Sequence, residues 1–346
     1  MKKILLLVLS LILCCALIAC DSQAPTVPNV SDDDAGQTPS GDNNQTPSDG
    51  GQTTPSTDSN EPEWLNVATY NILHCMDYKA YAGSPSRVDI IPDKYVDFME
   101  KYEIDILGLN EVDINCSRSM GWVKSEYCAE YSSNQPAYMA AKMTERTGVP
   151  YYWAFAPALD GCLDAAHSDY NDGKSMYGNA IVTRFPILAT RKIQVAAHEI
   201  DPDNPKTQIG EALGSGNYYE QKGALIAELD VNGTVVTVIS AHFGLVREEQ
   251  DLMMDALISE INVIDTPVVL MGDFNSSYNS SNINRFNQIL KPTTTGKLPA
   301  TFITGSRIDY IYTSEDLVTK DLMSPPLSYS DHYPVIVKMA FKPTEG

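Results

Sequence analysis

Nine short apolar runs rich in β-forming residues recur along residues 64–346, and they constrain the fold more than any other feature of the sequence. Each run has the length of a strand and is bounded by turn-forming or polar segments. Helical patterns separate only some of them, so the rhythm of a doubly wound parallel sheet is absent, and an α/β sandwich with mixed sheets is predicted. The predicted strands are Leu65–Ile72, Ile104–Val112, Tyr151–Ala158, Asn179–Thr183, Gly223–Leu229, Val235–Ala241, Val268–Phe274, Arg307–Tyr312 and Tyr333–Met339.

Helical periodicity and one turn signal complete the coarse map. The pattern predicts helices over Asp93–Tyr102, Ala137–Arg146 and Arg247–Ile264, and near Asn284–Leu290. The Asn232-Gly233 pair stands between two predicted strands, and both residue types accept the positive φ of a tight hairpin. We therefore expect the two strands around this pair to be adjacent and antiparallel.

The first 19 residues have the layout of a cleaved signal peptide. Lys2 and Lys3 precede an apolar run from Ile4 to Ile18, which is short for a membrane-spanning helix. The segment Leu17-Ile18-Ala19-Cys20 resembles the bacterial lipobox, whose cysteine is lipidated and becomes the mature N-terminus. We expect lipidation at Cys20 and a secreted protein that is anchored to the bacterial cell membrane and faces outward.

Residues 20–63 follow this anchor and have the composition of a disordered linker. Residues 21–63 contain nine Asp and Glu and no Lys or Arg, among many Ser, Thr, Pro and Gly. One domain is expected over residues 64–346, with 36 acidic and 22 basic side chains and a net charge of about −14. Sequence-independent nucleic-acid binding needs a basic face, so this charge disfavours it.

Four cysteines remain once the signal peptide is removed and Cys20 is modified: Cys75, Cys116, Cys128 and Cys162. Outside the cell they can pair in three ways. They contain no C-x-x-C spacing, which disfavours a zinc site. We expect one or two disulfides within the stretch from Cys116 to Cys162.

Polar side chains stand at the ends of several predicted strands, and strand ends meet at one edge of a sandwich. Glu111, Asp273, Asp309 and Asp331 would repel one another in one site at neutral pH unless cations were present. Oxygen ligands favour Mg²⁺ or Mn²⁺. The clusters are Tyr70-Asn71, Asn110-Glu111, Ala241-His242, Gly272-Asp273-Phe274-Asn275, Ile308-Asp309 and Ser330-Asp331-His332.

Roles for these residues follow from their chemistry. Asp331 and His332 are consecutive, so their side chains point to different sides, and another acid must orient the histidine. Asp309 is the candidate: it would fix the His332 tautomer while His332 removes a proton from the attacking water. His242 would donate a hydrogen bond to the phosphoryl oxygens, and the amides of Asn71 and Asn275 would hold a nucleophile or an oxygen without adding charge.

The ordered segments resemble the motifs of the endonuclease/exonuclease/phosphatase superfamily over about Trp64–Phe341. That resemblance implies a four-layered α/β sandwich of two packed mixed β-sheets flanked by helices. The segments are Thr69-Tyr70-Asn71, Leu109-Asn110-Glu111, Tyr177-Gly178-Asn179-Ala180, Ser240-Ala241-His242, Gly272-Asp273-Phe274-Asn275, Arg307-Ile308-Asp309-Tyr310-Ile311 and Ser330-Asp331-His332.

The resemblance also implies roles for individual residues. Glu111 is similar to the principal metal ligand, with Asn71 and Asp331 nearby. Asp273 and Asn275 are similar to the pair that positions the nucleophilic water and the transition state, so Asp273 is an alternative to His332 as the residue that orients the water. His332 with Asp309 resembles the His–carboxylate dyad.

Some residues differ from the motifs of this superfamily, and others lie next to those motifs in the sequence. Leu73 stands where some nucleases have an acidic metal ligand, so a second metal on that strand is in doubt. The stretch from Asp113 to Tyr177 is longer than in minimal members and is expected to shape the substrate rim. His74 lies close enough to reach the edge of the site, although a loop histidine is more often solvated. Lys222 is a candidate phosphate contact.

The predicted function is hydrolysis of a phosphoester by a Mg²⁺- or Mn²⁺-dependent phosphodiesterase or phosphatase at the cell surface. The substrate is a small molecule, a lipid head group or nucleic acid, and no protein partner is inferred. One alternative is an extracellular nuclease of the same fold, which the acidic charge disfavours. Another is a catalytically inactive surface-binding lipoprotein, which would lack a ligand or a base, whereas all eight candidate residues are present.

Overall fold

The computed structural model describes residues 62–83, 90–120, 134–161, 174–214, 217–293 and 299–343. The predicted signal peptide, Cys20 and most of the linker lie outside the described residues.

The strands are β1 (Leu65–Asn71), β2 (Ile106–Ile114), β3 (Tyr152–Leu159), β4 (Met176–Thr183), β5 (Ile187–Val195), β6 (Ile209–Gly214), β7 (Asn217–Glu220), β8 (Lys222–Val231), β9 (Thr234–His242), β10 (Val268–Asp273), β11 (Lys291–Pro292), β12 (Asp309–Thr313), β13 (Leu317–Met323) and β14 (Val335–Phe341). The helices are α1 (Tyr78–Gly83), α2 (Pro92–Lys101), α3 (Ser117–Met120), α4 (Gln135–Thr147), α5 (Arg247–Ile261) and α6 (Ser281–Phe286).

Two six-stranded sheets form the framework. The first has the order β13-β14-β1-β2-β4-β3, and the second has the order β11-β12-β10-β9-β8-β5. Each sheet has one parallel pair, β1 with β2 and β9 with β10, and its other pairs are antiparallel. The strands β6 and β7 pair separately. The predicted mixed sheets are confirmed.

Alternating side chains of each strand build two different layers of core. In β1, Leu65 and Val67 lie between the sheets, whereas Ala68 and Tyr70 pack under α2 and α4 on the outer face. On the outer face of the second sheet, side chains of α5 and α6 cover β9, β10 and β12. Helix, sheet, sheet and helix therefore form four layers, as the resemblance implied. Each fully buried large apolar side chain stabilises this arrangement by about 1.5–3 kcal/mol.

All nine predicted strands are present, with ends shifted by a few residues, and the hairpin is confirmed. Asn232 and Gly233 have φ of 53° and 89° and connect β8 to β9. The apolar pattern missed β5 because its central residues are exposed at the edge of the second sheet. The last predicted helix begins earlier than expected, because the Ser280 side chain caps Ile283 and starts α6 at Ser281.

Two cysteines lie within the described residues. Cys116 is disulfide-bonded, and Cys75 is free and buried; a disulfide within the predicted stretch stays a prediction. Cys128 and Cys162, the other cysteines of that stretch, lie outside the described residues. No helix in the described part of the chain has the length and apolar character needed to cross a membrane.

Candidate active site

Strand register aligns the predicted site residues at one end of the sandwich. In the second sheet, His242 pairs with Asp273 and Asp273 pairs with Asp309, so the three form one row across β9, β10 and β12. In the first sheet, Asn71 at the end of β1 pairs with Asn110 of β2. Laterally paired residues face the same side of a sheet. The register therefore explains why residues far apart in the sequence meet.

Asn110 joins the two sheets at the base of this site. Its amide nitrogen donates to Oδ1 of Asn179 and to the carbonyl of Ala241, at 2.8 and 3.1 Å. Its Oδ1 accepts the backbone N–H of Asp273 at 3.0 Å. Asn179 in turn donates to the carbonyl of Gly223 at 2.7 Å. Both asparagines are buried, so their hydrogen bonds fix the distance between the sheets where the site forms.

The Asp309–His332 pair that we predicted is present as a hydrogen bond. Nδ1 of His332 lies 3.0 Å from Oδ2 of Asp309, and its Nε2 lies 3.5 Å from Oδ2 of Asp273. The imidazole therefore stands between two buried carboxylates. Burial alone lowers the pKa of His332, but Asp309 and Asp273 outweigh it and raise that pKa well above its usual value. This geometry favours the imidazolium form.

The segment before β12 holds the dyad in place. The Thr301 hydroxyl accepts the backbone N–H groups of Ile308 and Asp309, at 3.0 and 3.1 Å. The Phe302 ring packs on the His332 ring with their centroids 4.8 Å apart. Backbone and ring contacts thus restrict both members of the pair, which is what a positioned proton-transfer group requires.

Asp273 is the carboxylate at the centre of the site. Its Oδ1 accepts the backbone N–H of Asn275 at 2.9 Å, and its Oδ2 accepts Nδ2 of Asn71 at 3.1 Å. Burial raises the pKa of Asp273 to about 7, against the opposing effect of the nearby His332. A carboxylate with a pKa near neutrality can accept a proton from water efficiently.

His242 and Asn275 lie on the other side of Asp273. Nε2 of His242 lies 3.6 Å from Oδ2 of Asp273 and 3.3 Å from Nδ2 of Asn275. Asn275 has φ of 47° and also donates to the carbonyl of Phe243 at 2.9 Å. Burial, followed by Lys222 and His332, keeps the pKa of His242 well below its usual value. His242 is therefore a neutral imidazole in this setting.

Glu111 reaches the site through a β-bulge. The register between β2 and β4 shifts by one residue between Leu109 and Val112, and Glu111 has φ of 56°. Its Oε1 accepts Nδ2 of Asn71 at 2.9 Å. Because Asn71 also donates to Asp273, its amide bridges the two carboxylates, and its own Oδ1 accepts the backbone N–H of Leu73 at 3.2 Å.

The charges of this site fit a divalent cation. Burial, followed by the Asp331 carboxylate, raises the pKa of Glu111. Asp331 is partly buried, and its Oδ1 accepts the Ser330 hydroxyl at 3.2 Å. A cation between Glu111 and Asp331 would relieve their repulsion. Asp273, Asp309 and His332 also offer ligand atoms within 4.8 Å of one another, although Asp309 and His332 are already hydrogen-bonded to each other.

Some residues that build the site were missed or given no role. Asn110 and Asn179 belong to the motifs above, but pattern alone does not show that they connect the sheets. Thr301 has no motif around it. Lys222 is buried and donates to Glu220 at 2.5 Å, and its contact with a substrate phosphate stays a prediction.

A buried ion pair on β2 and α3 was also missed. Arg118 donates to both carboxylate oxygens of Asp113, at 2.8 and 2.6 Å, and the Ser119 hydroxyl bonds to the same carboxylate. The guanidinium also lies over the Tyr177 ring, 5.2 Å from its centroid. The spacing of an acid and an arginine five residues apart gives no signal, because such pairs are common on protein surfaces.

Comparison with known protein families identifies the family to which this chain belongs. The sequence profile of the Endonuclease/Exonuclease/phosphatase family matches residues 68–332. The chain therefore belongs to this family of phosphoester hydrolases, as the motifs indicated. A comparison with curated protein sequences finds no significant match.

Solved structures share the fold at low sequence identity. A family protein from Leptotrichia buccalis C-1013-b is 17% identical with a TM-score of 0.56, over 80% of this chain and 100% of that one. A mannosyl-6-phosphatase from Bacteroides thetaiotaomicron VPI-5482 is 18% identical with a TM-score of 0.51, over 80% and 100%. ANGEL2, described as a 2′,3′-cyclic phosphatase, is 12% identical with a TM-score of 0.52, over 82% and 99%.

Proposed function

We propose that this protein is a divalent-metal-dependent phosphoesterase that hydrolyses its substrate by attack of an activated water. The observation that carries the proposal is the line of buried groups from Asp309 through His332 to Asp273, with His242 and Asn275 beside it. A carboxylate able to accept a proton lies next to an imidazole that two carboxylates hold as a cation. A purely structural site would not need to bury so many ionisable groups together.

The geometry divides the work between these residues. Asp273 accepts the proton of the attacking water, and Asn275 places the water through its amide. Asp309 holds His332 by Nδ1, so Nε2–H of His332 donates to a phosphoryl oxygen and stabilises the charge that develops there. This division favours Asp273 over His332 as the group that activates the water.

Glu111, the Oδ1 atom of Asn71 and Asp331 would hold the cation. Bound there, Mg²⁺ or Mn²⁺ would polarise the phosphoryl group and stabilise the leaving oxygen. The chain's own contribution is to keep Glu111 in place through the bulge and through its hydrogen bond from Asn71.

A small or lipid-borne phosphoester is the substrate class that the charge supports. The domain has a net charge of about −14, and the lysine and arginine near the site, Lys222 and Arg118, are each paired with a carboxylate. A cationic track for a polynucleotide would need unpaired Lys or Arg side chains. Two of the similar structures are named a mannosyl-6-phosphatase and a 2′,3′-cyclic phosphatase.

We also propose that the enzyme is secreted and held at the outer face of the cell membrane by a lipid on Cys20. The support is the apolar run before Cys20 and the polar segment after it. Metabolic labelling with a radioactive fatty acid should mark the wild-type protein and not Cys20→Ser. Labelling of both forms, or release of the wild type into the medium, would contradict the anchor.

The function is tested with bis-p-nitrophenyl phosphate and p-nitrophenyl phosphate, supplemented by DNA, RNA and sphingomyelin. Wild type should cleave at least one ester, lose the activity in EDTA and regain it with Mn²⁺ or Mg²⁺. Glu111→Gln should bind the metal more weakly in calorimetry, while Glu103→Gln, a change on a surface turn, should not. Turnover that continues in EDTA, or the absence of turnover on all five substrates, would contradict the proposed function.

A further inference from the structure

His74 has a buried ring nitrogen that no other group satisfies. Its Nδ1 atom makes no hydrogen bond within the described residues, and it lies 3.8 Å from Oε2 of Glu111. That separation is too long for a hydrogen bond. A buried polar atom without a partner needs an explanation, and a missing ion is one of the ordinary ones.

The backbone around His74 is strained. Leu73, His74 and Cys75 all have positive φ, at 44°, 47° and 61°, in the turn that follows β1. Such conformations cost free energy and concentrate where function needs a particular orientation. The Gln135 side chain holds this turn by donating to the His74 carbonyl at 2.6 Å.

The charged groups near the His74 ring, other than Glu111, already have partners. The Tyr177 ring packs against His74 with the centroids 6.4 Å apart, and Arg118 lies over the Tyr177 ring. The nearby Asp113 carboxylate already accepts from Arg118 and Ser119. Oε2 of Glu111 is the carboxylate oxygen 3.8 Å from Nδ1 of His74, and it accepts no hydrogen bond within the described part of the chain.

The spacing of the two free atoms suits a shared ion. Two atoms bound at about 2.1 Å to one cation can lie no more than roughly 4.2 Å apart. Nδ1 of His74 and Oε2 of Glu111 lie 3.8 Å apart, so a single cation can reach both. A neutral imidazole next to a carboxylate is a donor set that favours Mn²⁺ over Mg²⁺, since Mg²⁺ prefers oxygen.

We propose that His74 is a nitrogen ligand of the cation that Glu111 holds, and that it makes the site prefer Mn²⁺ to Mg²⁺. This inference rests on the metal dependence proposed above and adds the identity of the metal. Coordination of the cation by the imidazole would give the buried nitrogen a partner and would explain why the strained turn is present.

Pulsed electron paramagnetic resonance of the Mn²⁺-loaded protein tests the ligand directly, because a bound imidazole nitrogen modulates the echo of Mn²⁺. Wild type should show this nitrogen modulation, and His74→Ala should lose it. Calorimetry should show Mn²⁺ binding about tenfold or more weaker in His74→Ala, with Mg²⁺ binding changed less than about threefold. His74→Gln is the second variant, in case the alanine does not fold, and it should lose the modulation too.

His198→Ala is the matched control. Its Nδ1 also lacks a hydrogen-bond partner, and its ring also lies 6.4 Å from a tyrosine, Tyr219. Within the described residues it forms no ion pair, so this variant should keep the nitrogen modulation and the Mn²⁺ affinity. A variant that fails to fold would show a shifted circular dichroism spectrum, not a selective loss of Mn²⁺ binding.

The outcomes separate this inference from the proposed function. If wild type binds Mn²⁺ without nitrogen modulation, or if His74→Ala keeps the modulation because another histidine such as His332 supplies it, His74 is not a ligand. Metal-dependent catalysis would survive that result. If wild type binds neither Mn²⁺ nor Mg²⁺, both the proposed function and this inference fail.

Discussion

Nδ1 of His332 lies 3.0 Å from Oδ2 of Asp309, although Asp309 lies in the second sheet and His332 just before a strand of the first. Asp309 begins β12 of the second sheet, and His332 lies in the segment that leads into β14 of the first. The sequence neighbour Asp331 accepts instead from Ser330. The dyad therefore exists only when both sheets are packed, which ties catalytic geometry to the fold.

Asp309→Asn tests what this hydrogen bond does. Asparagine keeps the shape of the side chain but cannot hold His332 as a cation, so kcat should fall by about 10²–10⁴-fold. Metal affinity, measured by calorimetry, should stay within about threefold of wild type. Asp316→Asn removes an exposed carboxylate that accepts from Ser314 and should leave kcat unchanged. Equal kcat in both variants would show that Asp309 has no role in turnover.

Asn110→Ala should weaken the connection between the sheets. The change removes hydrogen bonds to Asn179 and to Ala241 and leaves the buried N–H of Asp273 without its acceptor. Unsatisfied buried groups cost about 1–3 kcal/mol each, so the free energy of unfolding in urea should fall by about 2–4 kcal/mol. Asn66→Ala, which loses an exposed hydrogen bond to the Glu103 carbonyl, should lower the free energy of unfolding by less than about 1 kcal/mol. Similar losses in the two variants would contradict a special role for Asn110.

Gly272 sits where no side chain fits. Its φ is 144°, and a Cβ there would lie 1.9 Å from the carbonyl oxygen of Ala241 on the neighbouring strand. Gly272→Ala should therefore cost at least about 2 kcal/mol of stability and displace the adjacent Asp273. Gly233→Ala is the control: its φ is 89° but its Cβ meets nothing within 4 Å, so only backbone strain of about 1 kcal/mol is expected. Thermal unfolding of the pair measures the difference.

The Asp113–Arg118 pair should make stability depend on pH. Burial alone raises the pKa of Asp113, but Arg118 outweighs it and lowers that pKa below its ordinary value. A carboxyl whose folded pKa is depressed contributes stability above its unfolded pKa of about 3.9, and the contribution is lost as pH falls through the folded value. Urea titrations in EDTA at pH 3 and pH 6 should therefore differ more for wild type than for Asp113→Asn. An identical pH dependence would contradict the pair's contribution.

Removing one partner of this pair should be costly at neutral pH. Arg118→Ala leaves the Asp113 carboxylate buried and unpaired and should destabilise the protein by about 3–5 kcal/mol. Arg146→Ala breaks an exposed pair with Asp97 and Glu100 and should cost at most about 1 kcal/mol. Comparable losses would indicate that burial of Asp113 does not matter.

The sequence was sufficient for the parts of this structure that local patterns control. The apolar runs located nine of the fourteen strands that the structure describes. The polar residues after several of these runs located the site. The alternation of consecutive side chains excluded Asp331 as the partner of His332, and the candidate Asp309 is hydrogen-bonded to that histidine.

Other features depend on contacts that only the folded chain brings together. β5 has no apolar face of its own and forms because β8 offers it a hydrogen-bonding edge. The sheet-joining bonds of Asn110 and the carboxylate-bridging amide of Asn71 depend on register between distant strands. The bulge that turns Glu111 into the site needs β4 as a partner. None of these leaves a periodic signal in the sequence.

Turnover of bis-p-nitrophenyl phosphate by wild type and His332→Ala, each saturated with the same metal, tests the catalytic role of the dyad most directly. We expect hydrolysis by wild type, at least about 100-fold slower hydrolysis by His332→Ala, and equal metal binding by both. A His332→Ala protein that binds metal and turns over at the wild-type rate would contradict that role.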